Sequence, residues 1–358
     1  MRTIYTSCLL TIAALAVATS CGKSDTPAAA SGPVDVRLVV SSGNNTRVGS
    51  DETDNYISQL RVYAFNADGE KVGYAEADNL QGQNYIPITL SEGGKINFYV
   101  IANDNFGTTS VTDWTSLSKT DLESLKFDLS EFGGWSATDD FISPMSNNRY
   151  DEFGNELKND SGTAAYENDY GTAVNVTKPT VISVTVQHAL GRLRLMLNKE
   201  SDDVTITLKR AAVYNRPDYF LLYNSGSADI KYDNNKSLVD EFVVSDIPLG
   251  TTQKEVARTY LAPNLYGSSD PDTYTAQKTD GTTSSNGLNE AYRLDLTVEF
   301  AYSTRTSETK NYKVYLPRVP RNTSIDVQGT FKGTVVKPEF NVMTEAWVEK
   351  VMDIPEFE

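Results

Sequence analysis

Val34-Asp35-Val36-Arg37-Leu38-Val39-Val40 alternates apolar and polar residues, and Ile57-Ser58-Gln59-Leu60-Arg61-Val62-Tyr63-Ala64-Phe65-Asn66 follows after a polar stretch. A period of two marks a strand with one buried face, so Val34, Val36, Leu38 and Val40 are predicted to point together into a core. The second run closes on Asn66-Ala67-Asp68-Gly69, a turn composition. Between the two runs, Ser41 to Asn55 is a polar loop carrying Thr46-Arg47-Val48. A backbone cut after Arg47 would free the first strand and leave its place in the sheet empty.

The N-terminus sets the address. Arg2 supplies a short positive region, Cys8 to Ala18 an apolar stretch, and Ala18-Thr19-Ser20-Cys21 a run of small residues ending in cysteine. The apolar stretch is too short for a spanning helix, which needs roughly 20 residues. The Ala-Thr-Ser-Cys box resembles that of bacterial lipoproteins, in which the cysteine is lipidated and becomes the first mature residue. The same residues satisfy the small-x-small rule of an ordinary signal peptidase site, so both processing routes fit. Segment 1–20 is thus a signal peptide and 21–33, rich in Ala, Ser, Gly and Pro, a tether.

Cys8 lies in the segment to be removed and Cys21 is the lipid site, so no cysteine remains for a disulfide, a zinc site or a thiol nucleophile. Stability must come from core burial. The 358 residues exceed what one core usually serves, so two domains are expected. Tyr, Phe, Val and Thr in short runs between Asn, Asp, Gly and Ser clusters argue for an all-β chain. Further strands are predicted over 85–90, 95–102, 181–187, 190–197, 204–208, 294–302, 311–316 and 324–331, a spacing that suits sandwiches. One short crossover helix is expected at Thr120-Asp121-Leu122-Glu123, which has the form of a capping box. The division is placed near Lys178-Pro179, giving domains over 34–178 and 179–358.

A formal charge of -16 argues against nucleic acid as a partner. Acidic clusters such as Asp151-Glu152 and Asp202-Asp203 lack the spacing of a calcium loop, so no metal is expected. The one histidine, His188, sits in an apolar run, where a buried side chain with a backbone partner is the expected role. With no nucleophile elbow, P-loop or Cys-His pair, neither a catalytic role nor a cofactor is expected.

Ile57 to Gly69, Ile96-Asn97-Phe98-Tyr99-Val100-Ile101-Ala102-Asn103, Ser143-Pro144-Met145-Ser146, His188-Ala189-Leu190-Gly191-Arg192-Leu193, Val319-Pro320-Arg321-Asn322-Thr323 and the late Trp347 occur in one order. That order resembles the fimbrillins, subunits of the type V pili of Gram-negative anaerobes, over about residues 34 to 350. The resemblance implies two tandem transthyretin-like β-sandwich domains. It also implies export to the outer membrane as a lipoprotein anchored at Cys21, and cleavage between Arg47 and Val48 by an arginine-specific protease. In the extracellular fimbrium a neighbouring subunit's strand then fills the groove vacated by Val34 to Val40. The tail from about Asn341, with Trp347, Val348, Val351 and Ile354, matches the donor region. Other fimbrial subunits are the implied partners, with host or bacterial surfaces as adhesion ligands.

Physical chemistry supports such a mechanism on its own terms. Burying each of Val34, Val36, Leu38 and Val40 is worth roughly 1.5 to 3 kcal/mol, so losing the strand forfeits about 6 to 12 kcal/mol, comparable to a whole domain's stability. An emptied slot is a row of unpaired backbone groups, a template for strand addition. The tail alternates poorly, since Val351 and Met352 are adjacent and Pro355 has no N–H to donate. It also fits the last strand of the second domain, in which case the chain suits a tip subunit that accepts a strand without giving one, or a lipidated anchor. A further alternative is a glycan-binding surface lipoprotein using Trp114 and Trp135 as sugar platforms. Arg321 is expected to turn between strands or cap a carbonyl.

Overall fold

The alternation around Val36 forms β1 (Val34–Ser42). The computed structural model describes residues 32–42, 57–78, 80, 85–104, 111–128, 143–147, 172–216, 219–223, 238–263, 292–317, 319, 321–332 and 339–346. β1 lies inside a sheet, antiparallel to β4 (Tyr85–Leu90) on one side and parallel to β9 (Thr180–His188) on the other. The sheet continues through β7 (Met145–Ser146), β5 (Gly94–Ala102) and β2 (Gln59–Phe65) to β3 (Lys71–Asp78). A short strand, β8 (Val174–Val176), pairs with β5. The sheet folds over until β3 lies against β4. Gly73 permits this approach, because a Cβ there would stand 2.8 Å from Leu90 Cδ2. The enclosed core is aliphatic, with Val34, Val36, Leu38 and Val40 meeting Leu60, Val62, Ile86, Ile88, Val100, Ile182 and Val184.

The second sandwich has two four-stranded sheets. One runs β14-β10-β17-β18, built from β10 (Gly191–Lys199), β14 (Lys254–Leu261), β17 (Thr323–Phe331) and β18 (Glu339–Ala346). The other runs β13-β11-β15-β16, built from β11 (Val204–Arg216), β13 (Leu238–Pro248), β15 (Arg293–Tyr302) and β16 (Glu308–Tyr315). Leu193, Leu195 and Leu197 of the first sheet face Leu294, Leu296 and Val298 of the second across one core. The outward positions of β10 and β17 pair instead, as where Arg194 Nε donates to Asp326 Oδ1 at 2.7 Å.

The expected all-β class stands, and the structure adjusts its boundaries. The strand after Lys178-Pro179 stays in the first sheet, beside β1, and its Ile182, Val184 and Val186 join the first core. Passage to the second sandwich therefore comes at Ala189-Leu190, where the β9 register ends and β10 begins. Helix α1 (Lys119–Glu123) starts one turn's edge earlier than expected: Ser118 is the N-cap and Asp121 closes the capping box, not Thr120 and Glu123. The helix ends at Glu123, and Phe127 lies in β6 (Lys126–Asp128). Strands β3, β13 and β14 are among those not foreseen, and β18 was expected only as one reading of the tail. Gly73, Arg258 and Asn341 interrupt or disguise the simple alternation that exposes a strand in sequence.

Candidate functional site

Two regions concentrate the chain's unusual chemistry, and the first is the slot that β1 occupies. Val34 and Val36 are 4% and 3% exposed, and Leu38 and Val40 are fully buried. Each inward residue stands beside aliphatic neighbours in register: Val34 opposite Leu90, Val36 opposite Ile88, Leu38 between Ile86 and Ile182, Val40 opposite Val184. The outward face is polar. Thr89 Oγ1 donates to Asp35 Oδ1 at 2.7 Å, and the Arg37 guanidinium lies 3.6 Å from the Tyr85 ring centre. β1 is therefore an interior strand with hydrogen-bonded neighbours on both sides, and its withdrawal would bare two strand edges as well as a core face.

The second region is the joint between the sandwiches. β6, from the first half, pairs with β12 (Tyr219–Leu221), from the second. Around this strap a third core gathers Tyr63, Phe65, Tyr99, Ile101, Leu122, Phe127, Leu190, Phe220, Leu222, Tyr223 and Tyr260. β2 and β5 are consequently buried on both faces, with Val62 and Val100 turned to the first core and Tyr63 and Tyr99 to the third. The Phe127 and Phe220 rings stack at 5.2 Å, and Tyr99 meets Tyr223 edge-on at 5.2 Å.

A buried polar clasp crosses the same joint. Arg321 donates through Nη1 to the Leu222 carbonyl at 3.1 Å and through Nη2 to Ser146 Oγ at 3.0 Å, while Ser146 Oγ donates to the same carbonyl at 3.0 Å. Tyr223 Oη donates to the Val100 carbonyl at 2.9 Å, and Asn147 bridges β5 by accepting from Val100 N and donating to the Phe98 carbonyl, both at 2.8 Å. Buried polar groups satisfied in this way fix one geometry, since each partner lost leaves a desolvated group behind. Burial, reinforced by the nearby Arg192 and Arg321 charges, holds the His188 imidazole down at about 3, so it is neutral in the folded protein. Burial also pushes the Tyr63 phenol well above its ordinary value, and its hydroxyl donates to the Trp114 carbonyl at 2.8 Å.

The stretches that carried the sequence resemblance meet at this joint: β5, Ser143 to Ser146, His188 to Leu193 and Arg321. Backbone bonds tie them together, from Ala189 N to the Pro144 carbonyl at 2.9 Å and from Asn322 N to the Leu190 carbonyl at 3.0 Å. The family model for the major fimbrial subunit protein (FimA) matches residues 33–210, which spans β1 and most of these stretches. This chain belongs to that fimbrillin family.

Solved structures share the fimbrillin fold over most of the chain. A candidate cell adhesion protein from Bacteroides eggerthii aligns with a TM-score of 0.54 at 14% identity, covering 89% of this chain and 97% of its own. Another from Parabacteroides distasonis gives 0.53 at 11% identity, covering 90% and 99%. The tip fimbrial protein Mfa3 from Porphyromonas gingivalis, solved with a C-terminal truncation, gives 0.50 at 13% identity, covering 88% and 100%. At these identities the likeness is one of fold. No curated protein matches the sequence. Membership makes this fimbrillin a structural subunit of a fimbrium at the cell surface.

Of the residues expected to matter, Val34, Val36, Leu38 and Val40 are brought together in one core row. Cys21, Arg47, Val48, Trp135, Trp347, Val348, Val351 and Ile354 lie outside the described residues. Asn341 to Ala346, the first part of the expected donor region, form β18 and pair with β17 of the same chain. Arg321 caps a carbonyl, as expected, though across the joint between sandwiches. Trp114 is half-buried against the third core, and one ring face is taken by the Arg61 guanidinium at 4.8 Å, leaving little of a sugar platform. Arg61 itself is paired with Asp104 and Glu76. Asn147 and Tyr223 escaped sequence reading; the one available signal was the apolar run Tyr219-Phe220-Leu221-Leu222-Tyr223. Among the described residues no group of three His, Cys, Asp or Glu stands close enough to hold a metal ion.

Proposed function

We propose that this fimbrillin is a shaft or tip subunit made of two tandem transthyretin-like sandwiches and assembled by strand exchange. It is exported as a lipoprotein carrying lipid on Cys21 and held at the outer membrane. An arginine-specific protease cuts between Arg47 and Val48, β1 departs, and a strand from another fimbrial subunit takes its place in the extracellular fimbrium. The finished fibre meets ligands on host or bacterial surfaces. The chain does no chemistry of its own.

The observation that carries this reading is the interior position of β1. A strand with four buried residues and two hydrogen-bonded neighbours leaves, when removed, a groove that only another strand can satisfy. A head-to-tail contact of that kind propagates along a fibre instead of closing on itself. The third core supports it as well, because β2, β5 and the Ala189-Leu190 link after β9 stay clamped from outside when the first core opens.

The test is to treat the tether-intact protein with an arginine-specific protease, sequence the new N-terminus and run the product unboiled on a denaturing gel with candidate partner subunits. A terminus at Val48 and a band of higher mass are expected. An uncut Arg47 in a protein that remains folded rules out strand removal.

A further inference from the structure

We propose that a cavity beside helix α1 binds a pyranose residue of a neutral surface glycan, with Asp113 and Asp121 holding its hydroxyls. The proposal rests on the adhesion part of the reading above, and it gives the surface ligand a chemical class and a place.

The cavity has a volume of about 340 Å³ and is lined by residues between Val111 and Lys126. That is the small end of the range for ligand pockets, roughly 300 to 1,000 Å³. One stretch of chain makes it, from a single 3-10 turn at Trp114–Ser116 and helix α1. Both are pinned from behind. Tyr63 Oη donates to the Trp114 carbonyl at 2.8 Å, and Lys71 Nζ donates to the carbonyls of Thr115 and, at 3.2 Å, Leu117. Leu122 and Leu125 are buried in the third core, and the Leu125 carbonyl accepts from Leu222 N at 3.2 Å. Walls held in this way lose little freedom when a ligand binds.

The polar lining is made of half-used caps. Asp113 caps the turn, its Oδ1 accepting from Thr115 N at 2.9 Å and Thr115 Oγ1 at 2.7 Å. Asp121 closes the capping box of α1, its Oδ2 accepting from Ser118 N at 2.9 Å and Ser118 Oγ at 2.6 Å. A carboxylate has room for about four hydrogen bonds, so each keeps acceptor capacity on its second oxygen. The same bonds, from Thr115 and from Ser118, hold the two carboxyls below their ordinary value, which keeps them charged. Ser116 Oγ donates to the Asp113 carbonyl at 3.0 Å and Ser124 Oγ to the Thr120 carbonyl at 2.9 Å, so these hydroxyls present lone pairs as well. Lys126 supplies a cation to the lining, its Nζ 4.1 Å from the centre of the Tyr219 ring.

Acceptors thus outnumber donors, and the fitting ligand is rich in O–H groups. Val111, Leu117 and Leu125 add hydrocarbon from the edge of the third core. A small cation has no use for that surface, and an anion meets two carboxylates. A pyranose satisfies both halves of the lining. Its adjacent hydroxyls donate to Asp113 and Asp121, a ring or hydroxyl oxygen accepts from Lys126, and its C–H face lies on the leucines.

The test uses the full chain with glucose, galactose, mannose, fucose and N-acetylglucosamine, read by saturation-transfer NMR and titration calorimetry. At least one sugar should bind and receive transfer at its ring protons. The double variant D113N/D121N, which keeps an oxygen at each cap, should weaken binding by about tenfold or more, the loss expected when hydrogen bonds give up their charge. T112F, which narrows the cavity and leaves both caps alone, should abolish transfer, and it decides the matter if the double variant does not fold. Transfer to none of the sugars, or binding equal to the parent's in both variants, overturns the inference. Capture of polylysine with no sugar bound overturns it too, in favour of an acidic patch that takes a basic protein segment. Beads coated with the protein and mixed with epithelial cells or other bacteria test the adhesion reading by itself. Beads that adhere while no sugar binds leave adhesion standing and remove this site; a sugar-binding protein whose beads adhere to nothing keeps the site and overturns its adhesive role.

Discussion

Replacing Phe220 with alanine should uncouple the two sandwiches. Phe220 is fully buried in β12, its ring stacked on Phe127 of β6 at 5.2 Å with 20° between the planes. Both rings belong to the third core, so the lost contacts join the two halves of the chain and sit in neither sandwich. A Phe to Ala change in a core costs about 3 to 5 kcal/mol, a large share of the 5 to 15 kcal/mol that holds an ordinary domain together. The parent protein should melt in one calorimetric transition, because the third core makes each sandwich depend on the other. F220A should melt in two, the earlier one several degrees below the parent. F127A should behave alike, and the double variant should recover about 0.5 to 1.5 kcal/mol relative to the sum, the coupling expected of an aromatic pair. A single unshifted transition in F220A, or strict additivity of the two substitutions, would show that the sandwiches are merely tethered.

Other expectations concern pH, β18 and a turn. Because burial holds His188 down at about 3 while an unfolded histidine titrates near 6.5, only the unfolded chain takes up this proton as pH falls between those values. Stability is complete above pH 6.5 and declines below it by about 1.4 kcal/mol per pH unit, or roughly 2 kcal/mol by pH 5. Urea midpoints measured across that range should show the slope, H188Q should remove this part of it, and an unchanged slope in H188Q refutes the assignment. Gly329→Ala would press a Cβ to within 2.8 Å of the Phe340 ring and 2.9 Å of Leu197 Cδ2, at a cost of about 1 to 3 kcal/mol. Faster hydrogen exchange over 339–346 should accompany it, and unchanged exchange there would contradict the packing described for β18. Gly69 holds φ of +81° in a turn where Asn66 Oδ1 accepts from Asp68 N and Glu70 N, so G69A should cost about 1 to 2 kcal/mol in denaturant midpoint. A neutral G69A would mean the turn can adopt another conformation.

Alternation alone identified β1, since an apolar residue at every second position has one reading when polar residues fill the gaps. The same local signal marked β2, β4, β5, β9, β10, β15 and β17, and the Asn66 to Gly69 turn. Composition left few routes to disulfides or thiol chemistry, because Cys8 and Cys21 are the only cysteines. Sequence order was also enough to suggest the family. What pattern could not carry was partnership. β1 pairs with β9 across more than a hundred intervening residues, and no local feature of Thr180 to His188 says which sheet it joins. The boundary at Lys178-Pro179 was misplaced for that reason: a proline interrupts the chain there, yet long-range hydrogen bonds keep the next strand in the first sheet. The third core was hidden likewise. Tyr63, Tyr99, Arg321 and Tyr223 look like exposed or half-exposed positions of their own segments, and become a joint only when two sandwiches press together and desolvate them. Local sequence determines which residues can be buried on one face; the tertiary structure decides what lies across from them, because that depends on contacts that no window of neighbouring residues contains.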